Sequence, residues 1–316
     1  MNIIVFTTLK QLGNLLATTN QYTKYRCCSM AVLLIFFCNT WASEQQIIDS
    51  HIHYNWDQAE ITTPQDVIRI LKKHAVEFAV LASTPTALAL QLSELDRKLF
   101  FPLFSPYTHE LGKQDWYKNE QTWKLAEQGL KNKSYLGIGE IHFMAGFPPK
   151  TDNLVFRKLM QLAYEYHAPT LIHVDASNET IFIGICQQHP EIRIQFAHAG
   201  GNLLAPHIEK ILNTCENVWI DLSARDPWRY DGLTNAQGKL KLDWRELILK
   251  FDHRFMIGTD PVWRVTRTQS WDQADDGWNY YDKLMDYHLR WLSDLPPPTR
   301  SKLQYQNAKN FYNFEN

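Results

Sequence analysis

From Ile47 onward the chain alternates short, β-branched apolar runs with longer segments of helical period, and this alternation restricts the fold more than any other feature. The strand-like runs are Ile47–His53, Glu77–Ala82, Leu99–Phe104, Tyr135–Ile141, Thr170–Val174, Arg193–His198, Val218–Leu222 and Phe255–Asp260. Helical periodicity covers Pro64–Ala75, Thr86–Lys98, Trp116–Leu130, Asn153–His167, Glu179–Gln188, His207–Cys215, Asp243–Phe251, Trp278–Leu292 and Arg300–Phe314. Strands that alternate strictly with helices form a parallel sheet, and eight units in about 250 residues predict an α/β (β/α)8 TIM barrel with an extra C-terminal helix. An open doubly wound sheet calls for a glycine-rich phosphate turn after the first strand, and Tyr54-Asn55-Trp56-Asp57 is not one.

The segment before this pattern has a different character. Residues 1–42 contain no acid, carry Lys10, Lys24 and Arg26, and run through the apolar stretch Ala31–Cys38 to Thr40-Trp41-Ala42. This is the layout of a signal peptide, with residues 43–316 as the mature domain and an exported, periplasmic or secreted location. Eight apolar residues are too few to span a bilayer, so no stable membrane insertion is expected after cleavage. Losing three positive charges takes the formal charge from −2 to −5, which disfavours a nucleic-acid partner. Of the cysteines only Cys186 and Cys215 remain, and they are expected as buried free thiols because helix packing rarely supplies disulfide geometry.

Residues of metal-binding type recur at the ends of the strand-like runs. His51 and His53 lie two apart on the first and so share a face, Glu140 ends the fourth, His173 lies in the fifth, and His198 and Asp260 end the sixth and eighth. In a barrel these ends meet at one mouth. Six such side chains gathered there leave charges and lone pairs unsatisfied unless a cation sits among them. His142, two residues beyond Glu140, faces the same way, but strand ends lose register, so it is not counted among the site residues.

The ordered set Asp49-x-His51-x-His53, Gly139-Glu140, His173, His198-x-Gly200-Gly201 and Gly258-Thr259-Asp260-Pro261 resembles the amidohydrolase superfamily. Its amidohydrolase-related branch is the most similar, since Leu295-Pro296 and Asn307-Ala308 with Phe311 match that branch's ending. The resemblance spans the mature chain and implies a metal-dependent hydrolase of a small amide, ester, lactone or related bond. It places His51, His53 and Asp260 on the more buried metal, and His173 and His198 on a second metal or on substrate and water. Glu140 stands where relatives have a bridging carboxylate or a carboxylated lysine, so one or two divalent ions, expected as Zn2+, stay open. Such an ion activates water and polarises the scissile carbonyl, with Asp260 as base and His198 as the second catalytic residue.

Loops at the mouth carry Trp56, Trp116, Trp228, Trp263, Trp271 and Trp278 with Arg225, Arg229, Arg264 and Arg267. That composition suits a partly apolar, anionic small molecule, and Arg225, Arg229 and Arg264 are the expected substrate contacts. Three other readings fit the sequence less well. A TatD-type nuclease is disfavoured by Gly258 and the acidic charge, a decarboxylase of the related branch by Glu140, and a non-catalytic binding barrel by the filled ligand positions. Barrels of this size often pair, so a homo-oligomer is compatible with the sequence.

Overall fold

The computed structural model describes residues 46–176, 178–263 and 273–314. The leader at 1–42, and with it Arg264, Arg267 and Trp271, lies outside the described residues. Strands β1 (Ile47–His53), β2 (Val76–Ala82), β3 (Phe100–Phe104), β4 (Gly137–Met144), β5 (Thr170–Asp175), β6 (Ile194–Phe196), β7 (Val218–Asp221) and β8 (Phe255–Met256) form one sheet. Their order is β1-β2-β3-β4-β5-β6-β7-β8, and every neighbouring pair is parallel. The ring closes where Ser50 N donates to Ile257 O at 3.1 Å and Asp260 N donates to His51 O at 2.7 Å. This is the expected (β/α)8 barrel.

Helices α1 (Pro64–Lys73), α2 (Ala87–Leu95), α3 (Gln121–Lys131), α4 (Leu154–Glu165), α5 (Thr180–Gln188), α6 (Ala205–Thr214), α7 (Leu242–Lys250) and α8 (Tyr281–Leu292) follow the strands in turn. Local chemistry sets their starts. Thr63 caps α1 by accepting from Asp66 N, with Pro64 at a position whose missing N–H costs nothing. Asn153 caps α4 through a 2.9 Å bond from Phe156 N. The helix expected over Trp116–Leu130 is instead a 3-10 turn, Trp116–Lys118, followed by α3. Asn119 breaks it by taking an extended backbone, and its side chain accepts from Gln121 N.

The strand interiors form two layers. Outward-facing residues join the helices in the main core, whereas Ile48, Val80, Leu103, Leu171, Ala197 and Met256 fill the barrel floor. The floor is sealed by the end of the chain: α9 (Pro297–Ser301), a π-helical turn at Lys302–Gln306 and α10 (Asn307–Tyr312). Asn307 donates to Asp252 O and Phe255 O, each at 2.7 Å, and so seats Phe311, Tyr312 and Phe314 against the floor residues.

Cys186 and Cys215 are joined as a disulfide, which corrects the expectation of free thiols. They stand at the ends of α5 and α6, and the parallel packing of these neighbouring helices brings the two Cα atoms to 6.1 Å, inside the range a disulfide spans. No described helix is long and apolar enough to cross a membrane.

Candidate metal centre

Alternation alone would put Ile48, Ser50 and Ile52 on one face of β1 and His51 and His53 on the other. The pairing of β1 with β2 shifts between Asp49 and Ile52. Ile48 therefore lies on the barrel floor and Ser50 meets the interior Gln195, while Ile52 belongs to the outer core and both histidines turn inward. A second shift falls between Ile138 and Ile141 on β4, at Gly139-Glu140. Gly139 has φ +148°, and a Cβ there would lie 2.6 Å from Leu171 O, so the turn that aims Glu140 inward admits only glycine. β6 is shorter than expected. It ends at Phe196, and His198 reaches the centre from the following turn with φ 56°. Asp260, four residues past β8, also has positive φ, at 45°. Two of the inward-facing polar residues thus sit in backbone conformations that non-glycine residues seldom adopt, a frequent mark of functional sites.

Glu140 is the hub of the centre. One carboxylate, 2% exposed, is met by five imidazoles: His51 Nε2 at 3.6 Å, His53 Nε2 at 3.2 Å, His142 Nε2 at 3.3 Å, His173 Nδ1 at 2.9 Å and His198 Nε2 at 3.4 Å. Asp260 adds Oδ1 at 3.4 Å from His53 Nε2 and Oδ2 at 3.8 Å from His198 Nε2. The set expected from the sequence is therefore together, and His142, not counted among it, joins it.

The far nitrogen of each ring shows what the near one presents. His53 Nδ1 lies 3.0 Å from Ala82 O, which can only accept, so Nδ1 carries the proton and Nε2 offers a lone pair. His51 Nδ1 lies 2.6 Å from Asp221 Oδ2, and His173 Nε2 lies 3.0 Å from Asp175 Oδ2. Ser223 Oγ gives its proton to Asp221 Oδ2 at 2.9 Å and accepts from His198 Nδ1 at 2.8 Å. In four rings the outer nitrogen is tied to an acceptor and the inner lone pair faces Glu140. Acceptors turned on acceptors at about 3 Å repel, and a divalent cation is the species that lets such a cluster stay buried. The groups His51, His53, Asp260 and His51, Glu140, His198 each bring their ligand atoms within 4.8 Å of one another, a fit to a divalent metal.

The electrostatics follow the same geometry. Burial pushes the Glu140 carboxyl up, but His142 and His51 beside it prevail and hold it well below the usual carboxylate range. Burial likewise opposes protonation of His173, yet its bonds to Asp175 and Glu140 carry its pKa up to about 9, so Nδ1 holds either a proton or a cation against Glu140. Asp49, buried beneath His51, rises to about 6 through burial, tempered by bonds from Thr259 and Tyr281.

Of the arginines expected to meet substrate, Arg225 and Arg229 have buried side chains and Arg264 lies outside the described residues. Arg229 is buried and fully engaged. Nε and Nη2 donate to Asp226 Oδ2, Nη2 to Thr259 O, and Nη1 to the backbone of Asp260 and Val262, with Asp260 Oδ2 at 3.5 Å. It clamps Asp260 and has no donor left for a substrate, which corrects that expectation. The Arg225 guanidinium lies 4.9 Å over the Trp244 ring, and its Nε and Nη1 are buried with no hydrogen-bond partner among the described residues. Of the tryptophans assigned to the mouth, Trp116 and Trp278 are buried, the latter donating to His53 O at 3.0 Å. Trp56 and Trp228 are exposed, and Trp263 stacks on Tyr280 at 3.7 Å.

Sequence reasoning missed Asp221, Ser223 and Asp175. Asp221 sits in the apolar run Val218–Leu222, where its position is the only signal.

The profile described as amidohydrolase matches residues 124–314. No curated protein matches the chain by sequence. Among solved structures, a Pseudomonas putida protein named as a 2-pyrone-4,6-dicarboxylic acid hydrolase aligns with TM-score 0.59 and 17% identity, over 85% of this chain and 98% of its own. The 4-oxalomesaconate hydratase of Rhodopseudomonas palustris gives 0.55 and 13%, over 84% and 95%. A 2,6-dihydroxybenzoate decarboxylase bound to 2,6-dihydroxybenzoate gives 0.54 and 12%, over 85% and 99%.

Proposed function

Because the chain belongs to the amidohydrolase family, we propose that this metal-dependent enzyme hydrolyses a small amide, ester or lactone bond, with Zn2+ at the centre. The observation that carries the reading is the ring of imidazoles around Glu140, with the outer nitrogens of His51, His53, His173 and His198 bound to acceptors and Asp260 beside it. His51, His53 and Asp260 would hold one ion, and His173 and His198 would complete the centre with Glu140. When bound, the ion supplies a Lewis acid for the substrate oxygen and lowers the pKa of water.

The chain's own residues do the remainder. Asp260 takes the proton of the attacking water and delivers it to the leaving group, while Arg229 keeps its carboxylate from swinging away. His198, oriented by Ser223, steadies the substrate oxygen as charge builds on it. Trp56, Trp228 and Trp263 offer flat apolar walls, and Arg264 is the remaining candidate for an anionic substituent. The 2-pyrone-dicarboxylate hydrolase among the structural neighbours supports a ring substrate carrying carboxylates. Glu140 weighs against decarboxylation. Export is supported by the leader composition and by the Cys186–Cys215 bridge, which suits an oxidising compartment.

The test pairs metal analysis of purified protein with a panel of esters, lactones and N-acyl compounds, each with and without a ring carboxylate. Zinc retained through purification and chelator-sensitive turnover of one class are expected. Protein that neither holds nor responds to divalent ions overturns the reading.

A further inference from the structure

Alternation along β4 continues past the metal centre. Ile141 and Phe143 face the outer core, Glu140 and His142 face the lumen, and Met144, the last residue of the strand, falls on the lumen side with them. Met144 stands opposite Asp175 as His142 stands opposite His173, and Asp175 Oδ2 lies 3.0 Å from His173 Nε2. Beyond the strand the chain turns at once. Phe147 N donates to Met144 O at 3.1 Å across Ala145-Gly146, and Gly146 has φ +82°, the left-handed value that the third position of such a turn requires. Ala145 N donates to Asp175 O at 2.9 Å and pins the turn to β5.

This turn presents apolar side chains to solvent. Met144 is 50% exposed and Phe147 64%, and neither is part of either core cluster. From Met144 to Pro149 no residue carries a charge. The flanking loops add Leu111 after β3 and Leu204 after β6, both exposed. Apolar surface gathered at one edge of a cleft is unfavourable in water until something covers it. The centre is open on the same edge, for the His142 side chain is 27% exposed against at most 10% for the other four rings. A ligand that reaches Glu140 along this side passes over Met144.

We propose that the substrate hydrolysed at the metal centre carries an alkyl or acyl chain, and that Met144 and Phe147 are the specificity determinants that receive it. This rests on the hydrolase reading above and adds to it a hydrocarbon tail. The thioether and the phenyl ring follow one another outward from His142 with no hydrogen-bonding side chain between them, so they favour methylene groups and offer nothing to a polar extension. Continuity with the centre favours a substrate tail over a separate partner, because whatever fills the centre lies against the inner end of this strip.

The experiment titrates the zinc-loaded full chain with straight-chain hydroxamic acids, from acetohydroxamic to octanohydroxamic acid, by isothermal titration calorimetry. Each has the same metal-binding head, so the series isolates the tail and requires no knowledge of the natural substrate. Kd is expected to fall about twofold per added methylene, half on a logarithmic scale of the gain from full burial of a CH2. Met144→Ser combined with Phe147→Ser should flatten that dependence. Leu95→Ser, which removes an exposed apolar side chain at the far end of α2, away from the mouth, should keep it. A wild-type series without length dependence, or a double variant that keeps it, overturns the inference and leaves the hydrolase reading standing. A flat series together with a wild-type dimer that the double variant splits, seen by light scattering, overturns it in favour of a second copy on the strip. Protein that takes up no zinc or binds no hydroxamate overturns both readings.

Discussion

His51 Nδ1 and Asp221 Oδ2 are 2.6 Å apart, and neither side chain is exposed. Asp221 is therefore the group that fixes which nitrogen of His51 faces the metal position, and through Ser223 it does the same for His198. Burial pushes the Asp221 carboxyl up, but the charge and hydrogen bond of His51 prevail and keep it low. Asp221→Asn keeps the shape and removes the charge. Zinc affinity is expected to fall about 10- to 100-fold, with Ser223→Ala losing less, as read by chelator competition. Unchanged affinity in Asp221→Asn would show that the ring is oriented by packing alone.

Arg229 is anchored by a fork on Asp226 Oδ2 that lysine cannot reproduce, and this holds its Nη1 against the Asp260 backbone oxygen and, at 3.5 Å, Asp260 Oδ2. In Arg229→Lys the carboxylate loses its clamp, and kcat should drop about 100-fold, as expected for a reacting group displaced by about 1 Å. Bound zinc should stay near the wild-type level. Steady-state kinetics beside metal analysis checks this, and a variant with wild-type kcat excludes the clamp.

His288 on α8 is buried, its Nδ1 has no partner among the described residues, and burial lowers its pKa from 6.5 to about 4. The sign follows from linkage. Above about pH 6.5 the ring is neutral both folded and unfolded and contributes no pH dependence. Between about 6.5 and 4 the unfolded chain takes up the proton and the folded one does not, so stability declines as pH falls, by about 3 kcal/mol in all. Below about 4 this contribution levels off. Urea titrations from pH 7 to 4 should show that decline in wild type and a shallower one in His288→Gln. Equal slopes would place the acid sensitivity elsewhere.

The bridge between Cys186 and Cys215 closes a loop of 29 residues. Constraint of the unfolded chain by a loop of that size is worth about 3 to 4 kcal/mol. A Cys186→Ser, Cys215→Ser double variant should therefore melt several degrees lower than oxidised wild type and match the reduced form. Free thiols counted in unfolded, unreduced protein would refute the bridge.

The alternation of strand and helix was legible in the sequence because it depends on local period and composition. So was the meeting of His51, His53, Glu140, His173, His198 and Asp260, because a barrel sends every strand end to one mouth. What stayed hidden depends on register and distance. His142 could not be placed without the shift at Ile138/Ile141. Asp221 looks in sequence like any polar residue closing an apolar strand. The partners of Arg229 are set by a loop path that no periodicity reports, and the cysteine bridge by the spacing of two helix ends. The burial of Trp116 and Trp278 has the same origin, since a large aromatic in a loop packs wherever that loop folds back.

The barrel floor ties these parts to the order of synthesis. Tyr312 donates to Gln195 at 2.5 Å, Gln195 donates to Asp221 at 3.2 Å, and Asp221 holds His51. A nascent chain that has already emerged through Asp260 carries every proposed ligand and still lacks its seal. Phe311, Tyr312 and Phe314 cover the floor beneath the proposed ligands, so a chain cut short of α10 is expected to lose that cover while keeping every one of them.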